Sequence, residues 1–263
     1  MPIDLSSLPV KQGFRLRGEA ISRLETLVDA AFAFALSMLV VSVGAVPKSV
    51  PELFDALLRA PTFAASFTIM ALFWSAHNRW SRRYGLDDAG STVLSLVFMC
   101  VMLIWVYPQR MILSSAAWFM SNHALPLEFE IQTARELEHC FAVYSAGFGV
   151  LSFLILLLHR HALRSADALQ LDAIERLRTR EELAGSLVAV VVACISFVLA
   201  LVIAPRADEV TSGWVIGAPG FCYALLGLGY RFVGRRLGRE ERELLASGAV
   251  VRDGRVLTAA DVK

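Results

Sequence analysis

Two groups able to move a proton or hold a cation stand inside apolar sequence. Asp29 lies in RLETLVDAAFAFALSMLVVSVGAV, Arg23 to Val46, and the seventeen residues after it carry no charge. His77 lies in FWSAHNRW, at the end of a second apolar run. An Asp and a His together can orient a nucleophile, exchange a proton or share a metal. Each of those needs a third member, and the chain has no G-x-S-x-G and no Gly-rich phosphate loop. Cys100, Cys140, Cys194 and Cys222 form no C-x-x-C and no Cys/His pair at ligand spacing. The pattern therefore points away from an enzyme and from a bound metal or other cofactor. An acid in lipid finds a partner or takes up a proton. Two roles stay open for Asp29 and His77: a polar knot locking one helix to another, or direct service to an ion path or a pH response.

The elements that position them follow from composition. Of 263 residues, 56% are hydrophobic and 19% charged, against roughly half and a quarter in a soluble domain. The shift predicts an integral membrane protein. Hydropathy gives six spans of about 20 residues, the length a bilayer requires, near residues 24–46, 62–80, 91–112, 141–160, 183–204 and 214–233. Lipid satisfies no backbone group, so the spans are expected to be helices. MPIDLSSLPVKQGFRLRGEA has no apolar core and does not read as a signal peptide. Twenty Lys and Arg fall on the side of the termini and five on the other, which predicts both termini in the cytoplasm. The expected division is an N-terminal segment 1–21, a six-helix membrane domain 22–233 and a C-terminal tail 234–263. A net charge of +1 gives no nucleic-acid footprint.

Ser22-Arg23-Leu24-Glu25 fits a capping box opening the first helix. Asp29 then lies about 10 Å inside it, and His77 lies about 9 Å from Arg83 at the same boundary. Their similar depth makes His77, Asn78 and the Trp74 indole the candidate partners of Asp29. Ala30, Phe34, Ser37, Met38 and Val41 share one helical stripe, and Ala31 and Ala35 form a small-xxx-small pair. Such a stripe is either core or, in a symmetric oligomer, the lining of an axis. Arg110, after Tyr107-Pro108, is expected to snorkel. Leu113–Cys140 reads as an outer loop with room for an interfacial helix. His161–Glu182 reads as an amphipathic connecting segment. Arg235–Leu245 reads as a short charged helix, and Val250–Leu257 as a hairpin about Asp253-Gly254.

RLETLVDAAFAFALSMLVV together with FWSAHNRW resembles the transmembrane protein 175 family of potassium channels, single-repeat prokaryotic branch. That family opens its first helix with R-x-x-x-F-S-D and closes its second with an aromatic-x-x-His element. Here Arg23 and Asp29 match the first, with Leu27 and Val28 in place of Phe and Ser, and Trp74 and His77 match the second. The resemblance covers residues 20–235. It implies homotetramers of six-helix subunits in the inner or plasma membrane, with four first helices around a pore and potassium as the permeant ion. On those positions the constriction falls on Phe34, the following hydroxyl on Ser37, and further pore positions on Met38 and Val41. It also implies a helix-locking polar network of Arg23, Asp29, Trp74, His77 and Asn78. A non-conducting scaffold or sensor with the same fold is the alternative.

Overall fold

The computed structural model describes residues 7–41, 46–209, 212–248, 250–252 and 255–258. Residues 42–45 of the first predicted span and the predicted Asp253-Gly254 turn lie outside them. A short hairpin, β1 (Val10–Lys11) and β2 (Phe14–Arg15), precedes α1 (Arg23–Val41). Then come α2 (Val50–Leu58), α3 (Ala60–Tyr84), α4 (Ala89–Met120), α5 (Ala134–Arg164) and α6 (Ala173–Ile203), which runs into a 3-10 turn, Ala204–Glu209. α7 (Gly213–Ile216), α8 (Ala218–Phe221), a second 3-10 turn (Cys222–Ala224) and α9 (Leu225–Ala246) follow, then β3 (Val251–Arg252) and β4 (Arg255–Val256).

Local chemistry starts these helices where they start. Capping boxes open α4 (Asp88 with Ser91) and α6 (Asp172 with Glu175), each satisfying two orphan donors. Ser22 Oγ accepts from the Glu25 N–H at 3.1 Å at the head of α1. α3 ends on Gly85 at φ 58°, the left-handed cap that glycine supplies without strain. A side chain there would also strike the Arg17 carbonyl, 2.7 Å from an ideal Cβ.

Among the described residues four helices are long and apolar enough to cross a membrane, α1, α4, α5 and α6, and α2 with α3, bent by 43°, makes a fifth if the pair is one span. The protein is a multi-pass, mostly helical membrane protein. The sixth predicted span, 214–233, is not one continuous helix. Gly213, Gly217, Pro219 and Gly220 break it into α7, α8 and a 3-10 turn before α9 begins. Three other stretches differ from their expected bounds. α4 continues to Met120, so no separate interfacial helix forms among the described residues of 113–140; Trp118 stacks on His123 just past it. His161–Glu182 holds the end of α5 and the start of α6, not one connecting helix. The charged stretch 235–245 is the far half of α9.

α5 packs on α6 at the centre, with α4 on the other side of α5, α1 on α4 and α3, and α9 on α6. An aromatic cluster fills the middle: Trp105 lies between Phe73, Tyr144 and Phe148 and donates its indole N–H to the Tyr144 carbonyl at 2.9 Å.

A charged clamp holds both ends of the chain to α6. Glu175 is fully buried and accepts from the Arg15 backbone at 2.8 Å, from Arg17 at 2.8 and 3.2 Å, and from the Asp172 N–H at 3.1 Å. Asp172 in turn takes Arg15 at 3.3 Å and Arg252 at 2.5 Å, and Arg252 also donates to the Gly13 carbonyl. The predicted C-terminal hairpin pairs antiparallel in the register of a two-residue turn, and Val250 and Leu257 bury with Ile174 of α6.

Glu175→Ala leaves Arg17 buried without a counter-charge and Arg15 with Asp172 alone. The expected cost is about 3–5 kcal/mol, read as a lower melting temperature of the detergent-solubilised protein. Asp88 supplies a pH test. Its carboxyl is held below the usual range by the Ser91 backbone N–H and then by His161, whose Nε2 lies 2.7 Å away. A depressed folded pKa contributes stability above the unfolded value of about 3.9 and loses it as pH falls through the lower folded one. Asn caps equally well, so the melting gap between wild type and Asp88→Asn at pH 7 should close below about pH 4.

Candidate pore helix and its polar anchors

α1 presents two unlike faces. Val28, Phe32, Ala35 and Leu39 are buried against α3 and α4. The opposite stripe of Leu27, Ala30, Phe34, Ser37 and Val41 is open, with Phe34 58% and Val41 71% exposed. Ser37 sits in that open stripe with its hydroxyl donating to the Ala33 carbonyl at 2.9 Å. Met38 is half-buried at its edge. Of the small pair, Ala35 is buried and Ala31 half-buried.

The predicted polar residues divide into two neighbouring contacts and two residues that join neither. Trp74 donates its indole N–H to Asp29 at 2.8 Å, on the open side of the α1–α3 seam. One turn nearer the α1 start, Asn78 donates to Glu25 at 3.3 Å. His77 is buried, but its Nε2 meets Ser95 of α4 at 2.9 Å and its ring stacks on Phe98. Arg23 is exposed and makes no hydrogen bond or ion pair among the described residues. No group of three or more His, Cys, Asp or Glu able to hold a metal occurs among them either.

The far end of α1 carries an anchor that sequence reasoning missed. Arg110 does not snorkel: it is 2% exposed. Its Nη1 donates to the Leu39 carbonyl at 2.7 Å, and its Nε to Glu128 at 2.6 Å. Leu39 is within the last turn of α1, where carbonyls lose their helical partners. Glu128 is placed by the Ser114 hydroxyl, which accepts from its backbone N–H at 2.9 Å. Arg110 Nη2 and Glu128 Oε1 have no partner among the described residues. A cavity of about 90 Å³ beside them, also lined by Met38 and Tyr107, has room for about three waters. An Arg and a Glu flanking a loop 18 residues apart was the one available signal, and spacing alone does not pair them.

Residues 23–108 match the model of a family described as the endosomal/lysosomal potassium channel TMEM175. A protein of Marivirga tractuosa named potassium channel is 23% identical over 194 residues, covering 72% of this chain and 78% of that one. A crystal structure of a variant of the potassium channel MtTMEM175, bound to a nanobody–MBP fusion, superposes with a TM-score of 0.72 at 22% identity; it covers 88% of this chain and all of that one. The chain is similar to the TMEM175 family through residues 23–108, and it shares the fold of a solved member. The matched region opens at Arg23, the first residue of α1, and closes two residues short of Arg110. The match thus takes in α1, the bent α2–α3 pair and most of α4. The α1 anchor at Glu128 and the clamp at Glu175 lie beyond it.

Breaking the far anchor from one side should be severe. Arg110→Leu strands Glu128 in an apolar site and is expected to cost about 3–5 kcal/mol, whereas Arg110→Leu with Glu128→Leu recovers much of that because no charge is left unpaired. Thermal melts of the two variants, in detergent or nanodiscs, make the comparison.

Proposed function

We propose that this protein is a potassium-permeable cation channel in which four copies place their α1 helices around a shared axis. The observation that carries this reading is the open face of α1. A membrane helix with its opposite side locked into the subunit leaves Phe34, Ser37 and Val41 facing outward. In a ring of copies these residues line a path, with Met38 at its margin. Four Phe34 rings at one level form an apolar constriction, which gates by excluding water. Ser37, one turn on, offers the hydroxyls nearest to a passing ion. The names of the Marivirga tractuosa relative and of MtTMEM175 support potassium as the ion.

In this proposal Asp29 with Trp74, and Glu25 with Asn78, set the rotation of α1 on α3, while His77 with Ser95 ties α3 to α4. Arg23 stands exposed, free to meet a neighbouring copy. Both termini are cytoplasmic by the distribution of Lys and Arg, the location is the cell membrane, and the partners are the other copies, lipid and potassium. No cofactor enters. A second reading, a non-conducting scaffold or sensor on the same fold, is favoured by the bulk of Phe34, which closes a narrow axis more firmly than a branched aliphatic residue.

Liposomes loaded with potassium and reconstituted with the purified protein separate the two. The channel reading expects a potassium flux that Phe34→Ala raises several-fold and that Ser37→Ala alters relative to sodium. Silence of both wild type and Phe34→Ala, over all voltages and pH values tried, would sink it.

A further inference from the structure

A wide groove lies away from the α1 face. It measures about 1130 Å³ and is walled by α3, α4, α5 and α6 on one side and by the broken segment α7–α9 on the other. Its lining runs along α5 from Ala134 to Ile155, about 32 Å at the helical rise, close to the ~30 Å of a bilayer's hydrocarbon core. The walls are largely apolar and aromatic, with Phe73, Phe141 and Phe148 among them. Water does not fill a site of that kind. At about 30 Å³ for a water-sized group, close to one methylene, the groove holds on the order of 35 to 40, the size of the two acyl chains of one phospholipid.

The two ends differ. Where Trp118, Gln132 and Thr133 line it, no charged side chain joins the lining. The other end carries Arg79, Glu181 and Glu182. Glu182 is taken by Arg83 at 2.9 Å. Arg79 is half exposed, 3.9 Å from Glu182, with one N–H on Ser75 and others left over. Glu181 is half-buried and makes no hydrogen bond among the described residues. One available guanidinium beside one available carboxylate complements a head group with a phosphate and an ammonium.

We infer that this groove binds one diacyl phospholipid with a phosphoethanolamine head, its chains between α4, α5 and α9, its phosphate on Arg79 and its ammonium on Glu181. The site is separate from the α1 axis and does not rest on the channel reading. It also accounts for the break at 213–224: lipid takes the place that a continuous, closely packed last helix would occupy.

Native mass spectrometry of the full-length protein tests this, after release from nanodiscs holding equal phosphatidylethanolamine, phosphatidylglycerol and phosphatidylcholine. The expected result is one phosphatidylethanolamine retained per chain. Glu181→Gln should erase the preference over phosphatidylglycerol, Arg79→Gln should reduce retention of all three several-fold, and Gly185→Phe, on the α6 wall, should abolish it. Gly185→Phe is scored only if its melting temperature stays near that of wild type; Arg79 and Glu181 are exposed enough to be changed safely and carry the test if it does not. Retention of no lipid, equal retention of the three, or retention unchanged in Arg79→Gln and Glu181→Gln overturns the inference.

Discussion

A hydrocarbon surround offers no hydrogen bond, so every polar group on a membrane helix must meet a partner in the protein or face something other than lipid. α1 obeys this at both ends. Near its start Asp29 accepts from Trp74 and Glu25 from Asn78; near its end the Leu39 carbonyl accepts from Arg110, itself held by Glu128. Asp29 and Leu39 are ten residues apart, about 15 Å, and are fixed by different elements, α3 and α4. Two anchors at separate heights stop a helix from rolling about its axis. Which residues α1 leaves open is therefore set by where its polar atoms are caught, and Phe34, Ser37 and Val41 are open for that reason.

The same rule applied outside the apolar layer explains the clamp. α1 follows a lead segment with little structure of its own, a two-residue-strand hairpin whose turn residues Gln12 and Gly13 both have positive φ. An isolated hairpin of that size is marginal in water. It persists because Arg15 and Arg17 reach Glu175 and Arg252 reaches Gly13. The C-terminal hairpin is marginal for the same reason and is held by Asp172, which also takes Arg15. Three stretches far apart in sequence thus share one buried charge cluster, and the lead into α1 is referenced to α6 and to the tail at once.

Much of this architecture was legible in the chain, for physical reasons that differ by element. Apolar runs the length of a bilayer mark α1, α4, α5 and α6 because lipid enforces both length and composition. Depth counted from Ser22 and Arg83 put Asp29 level with the end of α3, since rise per residue is constant. Depth does not fix rotation, however. Trp74 and His77 are three residues apart and lie on neighbouring parts of the same helix face, and only packing decides that Trp74 takes Asp29 while His77 turns to Ser95. Hydropathy likewise failed at 213–224, where apolar content persisted but Gly and Pro removed the continuity of a helix. The Arg110–Glu128 pair and the Glu175 clamp depend on loop paths, which carry no periodicity to read.

The departures from the family pattern make sense on the same terms. The signature Phe-Ser before the acid is Leu27-Val28 here, which removes a hydroxyl from the start of α1. Val28 is 1% exposed and packed in the apolar core, where a methyl group needs no partner and an unpaired hydroxyl would cost free energy. His77 meets a hydroxyl on α4, that of Ser95. With Val28 apolar, the described buried face of α1 carries Glu25 as its polar side chain, and Glu25 and Asp29 tie the helix to α3 through Asn78 and Trp74. That arrangement leaves the buried side of α1 from Val28 to Leu39 apolar and the two polar anchors at its ends, so the middle of the helix is held by shape alone. A helix held by shape in the middle tolerates a change of side-chain volume on its open face, and that is where this chain carries a phenylalanine at position 34.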